Sequence, residues 1–61
     1  MKYKYGDKIM IVYGFFAGNS GRLVDIEYPS NSVHPDYYVA ELSVGGKLVK
    51  VWDHEMEHYR D

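Results

Sequence analysis

Three glycines separate two apolar segments in the first half of the chain. They are Gly14, Gly18 and Gly21, and they lie between the segments KIMIVY and RLVDI. Glycine reverses the chain and adopts positive φ without a Cβ penalty, so this spacing indicates a tight loop between two strands. We therefore predict positive φ at Gly18 or Gly21. A β-branched substitution there should cost more stability than alanine at Gly45 or Gly46.

The length and composition of the chain favour a small binding domain. Its 61 residues form one domain, residues 1–61, which buries only about 60% of its unfolded surface and leaves little room for a catalytic cleft. Without cysteine, the chain has no disulfides and no thiolate metal sites. No apolar run approaches the roughly 18 residues that span a bilayer. We therefore expect a soluble, cytoplasmic protein with no membrane partner.

The apolar periodicity is that of β-strands. Leu23 and Ile26 are three positions apart, which breaks strict alternation and indicates a β-bulge. Gly45-Gly46 predicts a hairpin turn, and the prolines and serines at 28–35 predict a loop. The four strands predicted from this pattern are Lys8–Tyr13, Arg22–Ile26, Tyr37–Leu42 and Lys47–Trp52.

The third strand provides one face of the expected core. Tyr38, Ala40 and Leu42 alternate along it and are expected to share that face.

The glycine and apolar spacing resembles the KOW motif of small SH3-like β-barrels. This resemblance implies an all-β fold: a small five-stranded SH3-like barrel with a short helical turn before the last strand. In this chain the resemblance implies that the turn is Asp53–Glu55, with Asp53 as its N-cap, and that the fifth strand is Met56–Tyr59. Domains of this kind occur in ribosomal proteins and transcription elongation factors, where the barrel binds RNA or protein, and small accessory proteins of bacteriophages and mobile elements are also similar. The matching residues are Ile9, Ile11, Gly14, Gly18, Gly21, Leu23 and Ile26, preceded by Gly6-Asp7.

Two adjacent phenylalanines in the glycine loop are the strongest candidates for a contact site. Phe15 and Phe16 stand where members of the KOW family often carry lysine. Consecutive side chains point to opposite sides of an extended segment, so one ring is expected to be exposed. An exposed aromatic ring often anchors a protein interface. We therefore favour a non-enzymatic protein–protein adaptor whose partner-binding residues are Phe15, Phe16, Tyr13, Asn19 and Tyr37.

The alternative is an RNA- or ribosome-associated domain that uses the N-terminal segment. Aromatic rings alternate with lysines there, and single-stranded nucleic acid binds such surfaces by stacking and phosphate contact. The net charge of −2, with the acidity concentrated in the second half, disfavours strong nonspecific binding to nucleic acid. The candidate nucleic-acid residues are Lys2, Tyr3, Lys4, Tyr5, Lys8 and Arg22.

The segment from His54 to His58 matches the H-E-x-x-H pattern of zinc peptidases. That pattern works on a helix, which puts both histidines on one face, whereas here we expect a turn followed by a strand. The loop residue His34 could supply a third nitrogen only by chance. We predict no catalytic residues, no cofactor and no tight metal site. The carboxylates of Asp53, Glu55 and Glu57 are expected to form a solvated acidic edge.

Overall fold

The computed structural model describes residues 3–27 and 37–60, and these residues form an all-β fold. A 3₁₀ turn precedes the last strand, and no α-helix occurs within the two described ranges. The elements are β1 (Lys8–Ile11), β2 (Ser20–Glu27), β3 (Tyr37–Leu42), β4 (Leu48–Val51), the 3₁₀ turn (Asp53–Glu55) and β5 (Met56–His58).

The five strands form one antiparallel sheet in the order β4-β3-β2-β1-β5. The hairpin partners β3 and β4 pair as predicted, with Ala40 opposite Val49. The chain crosses back after β4, so the last strand pairs with the first, and Ile11 lies opposite Met56. In the described part of the chain no ladder joins β4 to β5, so the sheet is not closed into a barrel.

The predicted β-bulge in β2 is confirmed. Leu23 lies opposite Ala40 and Asp25 lies opposite Val39, which leaves Val24 as the extra residue. The bulge shifts the alternation by one position. As a result Leu23 is buried and Ile26 also packs against the core.

The core lies on one face of the sheet and receives side chains from all five strands. Tyr38, Ala40 and Leu42 are all buried on that face, as the alternation predicted. An aromatic side chain from outside the strands, Tyr3, joins them. The remaining core residues are Ile9, Ile11, Leu23, Val49, Val51 and Met56.

Some predicted element boundaries are wrong, and hydrogen bonding explains why. The first strand ends at Ile11 because the next two backbone N–H groups, of Val12 and Tyr13, donate to the carbonyl oxygen of Glu55. Asp53 is not the N-cap but the first residue of the 3₁₀ turn. Trp52 occupies the N-cap position, and its N–H donates to Oε1 of Glu55 at 3.1 Å.

The prediction of positive φ at Gly18 or Gly21 is confirmed, and Gly18 is the residue that adopts it. Gly18 has φ of +96°, whereas Gly21 lies inside β2 without positive φ. A Cβ on Gly21 would lie 2.5 Å from the carbonyl oxygen of Glu41, so the reason for glycine at this position is the close approach of β3. The predicted 28–35 loop lies outside the described residues.

No helix within residues 3–27 and 37–60 combines the length and the apolar character needed to cross a membrane.

Candidate functional site

The loop between β1 and β2 is fixed by its own backbone hydrogen bonds. The N–H of Gly18 donates to the carbonyl of Ile11 at 2.8 Å, which closes the loop at its base. The N–H of Ala17 donates to the carbonyl of Gly14 at 3.1 Å, which forms a tight turn at the tip. Asn19 donates from Nδ2 to the carbonyl of Phe16 at 2.9 Å. Asn19 therefore supports the loop that displays the phenylalanines.

The two phenylalanines take different positions at the loop tip. Phe15 is 94% exposed, whereas Phe16 is half-buried and packs against the core. Their ring centroids are 5.0 Å apart at an interplanar angle of 77°, an edge-to-face arrangement. The half-buried Phe16 ring contacts Phe15 edge-to-face, while almost the whole Phe15 ring remains in water.

Glu55 joins this loop to the 3₁₀ turn. Its carbonyl oxygen accepts hydrogen bonds from the N–H groups of Val12 and Tyr13 at 2.8 and 3.2 Å. Its carboxylate occupies the space beside Gly14 that a side chain would fill. Oε1 accepts the backbone N–H of Trp52. A single residue thus sets the distance between the phenylalanine loop and the tryptophan.

A pocket of about 150 Å³ opens between the loop and the end of β4. Four aromatic side chains and two buried aliphatic side chains line it. The lining also includes one positively charged and one negatively charged residue. The lining residues are Ile11, Tyr13, Phe15, Phe16, Lys50, Val51, Trp52 and Glu55.

Tyr37 lies behind the pocket and does not line it. Its ring packs edge-to-face on Trp52, with centroids 5.5 Å apart at 82°. The ammonium of Lys50 lies 4.8 Å from the centroid of the same ring. Tyr37 therefore positions Trp52.

The structure brings three of the five predicted partner-binding residues into one pocket: Tyr13, Phe15 and Phe16. The sequence reasoning missed Trp52 and did not place Glu55 in the site. Tryptophan is enriched among the residues that contribute most to binding energy at protein interfaces. The position of Trp52 after an apolar strand could therefore have identified it as a candidate binding residue. No feature of the sequence around Glu55 identified it as a site residue, because its role depends on contacts with residues 12–14.

The expectation that Tyr3 presents its ring to nucleic acid is wrong, because Tyr3 is fully buried. Its hydroxyl donates to the carbonyl of Met56 at 3.0 Å, and its ring packs edge-to-face on Tyr38. Burial raises the pKa of the Tyr3 phenol, and the nearby carboxylates of Asp53, Glu57 and Asp7 raise it further.

Two basic residues of the nucleic-acid alternative, Lys8 and Arg22, are adjacent, and each has a partner within the chain. Lys8 is directly opposite Arg22 in the β1–β2 ladder. The ammonium of Lys8 lies 4.2 Å from the Tyr59 ring centroid, and Nη1 of Arg22 donates to the carbonyl of Gly6 at 2.9 Å. Lys4 and Tyr5 are exposed, and Lys2 lies outside the described residues.

The H-E-x-x-H segment lies on a turn and a strand, as predicted. His54 is in the 3₁₀ turn, while His58 ends β5 and lies 3.3 Å from the carboxylate of Asp7. Over the residues with described positions, no group of three or more potential ligands is placed to hold a metal ion. His34 falls outside those residues, so the absence of tight zinc binding remains a prediction.

Comparison with known proteins adds no relative: neither the protein-family models nor the curated proteins contain a match to this sequence.

Proposed function

We propose that this chain is a small non-enzymatic binding module that captures a protein partner through the aromatic pocket. The observation that carries the proposal is the exposure of Phe15. A phenylalanine ring that is 94% exposed at a hydrogen-bonded loop tip leaves a large apolar surface in water. Burying such a ring against a partner is favourable by about 1.5–3 kcal/mol.

The surroundings of Phe15 support the same function. Tyr13 and Trp52 are also exposed and lie around the same pocket, so a partner would cover three aromatic rings at once. Contiguous exposed apolar surface of this kind typically marks an interaction site. The acidic residues Asp53 and Glu57 lie close along the chain and would steer a basic partner toward the pocket.

The architecture we propose is SH3-like, of the KOW type. Support comes from the strand order β4-β3-β2-β1-β5, from the 3₁₀ turn before β5 and from the glycine-rich β1–β2 loop. In this arrangement the pocket lies between the first loop and the 3₁₀ turn, where two segments far apart in sequence meet.

Binding of RNA is the second candidate, and the adjacent side chains of Lys8 and Arg22 favour it. Their positions on neighbouring strands put two positive charges on one exposed surface. However, Arg22 also lies opposite Glu41 on its other side, which reduces the local positive charge. The burial of Tyr3 removes one stacking ring from this surface.

Capture from a bacterial lysate, with and without nuclease, separates the two candidates. A protein partner should remain bound after nuclease treatment and should tolerate added salt, because an apolar interface is only weakly screened. Fluorescence anisotropy with short RNA and DNA oligonucleotides provides the complementary measurement. Sub-micromolar affinity that falls steeply with salt, with a log-log slope of about −0.7 per phosphate contact, would favour the RNA function instead.

A further inference from the structure

A carboxylate without a cationic partner lies in the wall of the aromatic pocket. Oε1 of Glu55 accepts the backbone N–H of Trp52, and Oε2 lies beside Gly14. Within residues 3–27 and 37–60, no lysine, arginine or histidine nitrogen lies within ion-pair distance of the Glu55 carboxylate. The pocket therefore contains a carboxylate that forms no ion pair with the described residues, although Lys50 also lines the pocket.

The aromatic lining reinforces this negative charge. The faces of Tyr13, Phe15, Phe16 and Trp52 carry the negative part of the ring quadrupole, which attracts a cation placed over them. A carboxylate beside such rings adds an acceptor for a charge-assisted hydrogen bond. Together these groups form a site whose electrostatics suit a positively charged group with an apolar stem.

The lysines of the chain already adopt this kind of contact. The ammonium of Lys8 lies over Tyr59, and that of Lys47 lies 5.6 Å from the Phe16 centroid. Lys50 lines the pocket, but its ammonium is held over Tyr37, which is not a lining residue. The ammonium of the lining residue Lys50 therefore contacts a ring outside the pocket lining.

We propose that the pocket receives a lysine or arginine side chain from a basic segment of the partner protein. The inference rests on the proposed function and specifies its partner class. The aliphatic stem packs on Phe15 and Trp52, and the charged end reaches the carboxylate of Glu55. Arginine suits the site best, because its planar guanidinium both stacks on aromatic rings and donates paired hydrogen bonds to a carboxylate.

Short synthetic peptides test the inference directly. One pentapeptide carries a central arginine flanked by glycine and serine, and the second carries citrulline, which has the same shape but no charge. Trp52 is the single tryptophan of the chain, so its fluorescence reports occupancy of the pocket, and amide NMR shifts of residues 13–16 provide a second signal. The arginine peptide should bind about tenfold more tightly than the citrulline peptide.

Three variants identify which charge of the protein is responsible. Glu55→Gln keeps an oxygen that can accept a hydrogen bond from the Trp52 N–H but removes the negative charge. It should lower the affinity for the arginine peptide about three- to tenfold. Glu57→Gln removes the same charge from an exposed position on β5 that does not line the pocket, and its effect should be less than about twofold. Lys50→Met removes the positive charge from the pocket and should strengthen binding.

Several outcomes would overturn the inference. The arginine and citrulline peptides could bind with equal affinity, or a matched proline or glutamate peptide could bind more tightly than the arginine peptide. Glu55→Gln and Glu57→Gln could have equal effects on the affinity for the arginine peptide. Finally, the fluorescence of Trp52 could remain unchanged at a millimolar concentration of the arginine peptide. None of these outcomes refutes the proposed function, which fails if capture of the partner protein is insensitive to Phe15→Ala. A partner lost with Phe15→Ala but unaffected by Glu55→Gln would refute the cationic contact alone.

Discussion

Gly14 leaves the space that the carboxylate of Glu55 occupies. A Cβ on Gly14 would lie 2.5 Å from Oε2 and 3.3 Å from Cδ of Glu55. Because Glu55 also accepts hydrogen bonds from Val12, Tyr13 and Trp52, the missing side chain allows the loop and the 3₁₀ turn to meet. The shape of the aromatic pocket therefore depends on a glycine.

Gly14→Ala should destabilise the protein more than Gly18→Ala. Both glycines have nearly the same φ, +94° and +96°, so alanine suffers a similar backbone strain of about 1–3 kcal/mol at either position. Nothing lies within 4 Å of a Cβ at Gly18, whereas at Gly14 the Glu55 carboxylate must shift, which weakens the hydrogen bond that it accepts from the Trp52 N–H. We expect the free energy of unfolding to fall by about 1 kcal/mol more for Gly14→Ala.

Urea unfolding of both variants measures this difference, and a Glu55→Ala background provides the control. In that background Gly14→Ala and Gly18→Ala should lower the free energy of unfolding by the same amount. A difference that persists without the Glu55 carboxylate would mean that strain in the loop itself, and not the contact, is responsible.

Gly21→Ala should cost more stability than Gly46→Ala. At Gly21 the added Cβ would meet the backbone of Glu41 and Leu42, which cannot rotate away, so the two strands must separate, at a cost of about 1–3 kcal/mol or more. At Gly46 the space is open and alanine meets only the left-handed φ of +66°, which costs about 1–2 kcal/mol. Denaturant midpoints compare the two, and small, equal losses would contradict the close packing of β2 on β3.

Tyr3→Phe should lower the free energy of unfolding by about 1–2 kcal/mol at neutral pH, because the buried carbonyl of Met56 loses its hydrogen-bond donor. The pKa of Tyr3 is raised above its ordinary value of 10.0, so the folded state holds the phenolic proton more tightly than the unfolded state. That contribution is complete below pH 10.0 and is lost as the pH rises through the folded pKa.

Unfolding curves at neutral and alkaline pH test both parts of this prediction. The wild-type protein should lose more stability above pH 10.0 than Tyr3→Phe does. Identical alkaline losses in the two proteins would assign the pH dependence to other tyrosines.

Zinc should bind only weakly. His54 and His58 lie on a turn and a strand, so they lack the shared helical face that the peptidase pattern requires. Calorimetric titration should find no nanomolar site, and a peptidase assay should find no activity. A nanomolar affinity that disappears in His54→Ala would reopen the question of a metal enzyme.

Sequence patterns correctly predicted the structural features that depend on local or periodic contacts. The spacing of Leu23 and Ile26 predicted the bulge in β2, and the alternation of Tyr38 and Leu42 predicted their common burial. In both cases the interacting groups lie on one element or on adjacent strands. The turn before the last strand was expected from the resemblance to KOW-type barrels and not from local pattern, and its N-cap is Trp52 instead of Asp53.

Long-range contacts explain what the sequence left open. Tyr3 alternates with lysines, a pattern typical of a surface residue. However, its hydroxyl donates a hydrogen bond to the carbonyl of Met56, 53 positions away. Likewise, Glu55 belongs to an acidic run, and only the return of β5 to β1 brings it against Gly14. The pocket exists because two distant segments meet, so its membership could not be read from either segment alone.

The central claim is that the partner protein is held by the aromatic pocket, and truncation of one exposed ring tests it most directly. Phe15→Ala removes a ring that is 94% exposed, and Tyr5→Ala removes one that is 74% exposed and does not line the pocket. Both variants should fold normally. The measurement is the affinity of the captured partner for each variant, by calorimetry. We expect Phe15→Ala to weaken binding by more than about 1–2 kcal/mol and Tyr5→Ala by less than about 0.5 kcal/mol. Equal effects, or a larger loss with Tyr5→Ala, would contradict the account.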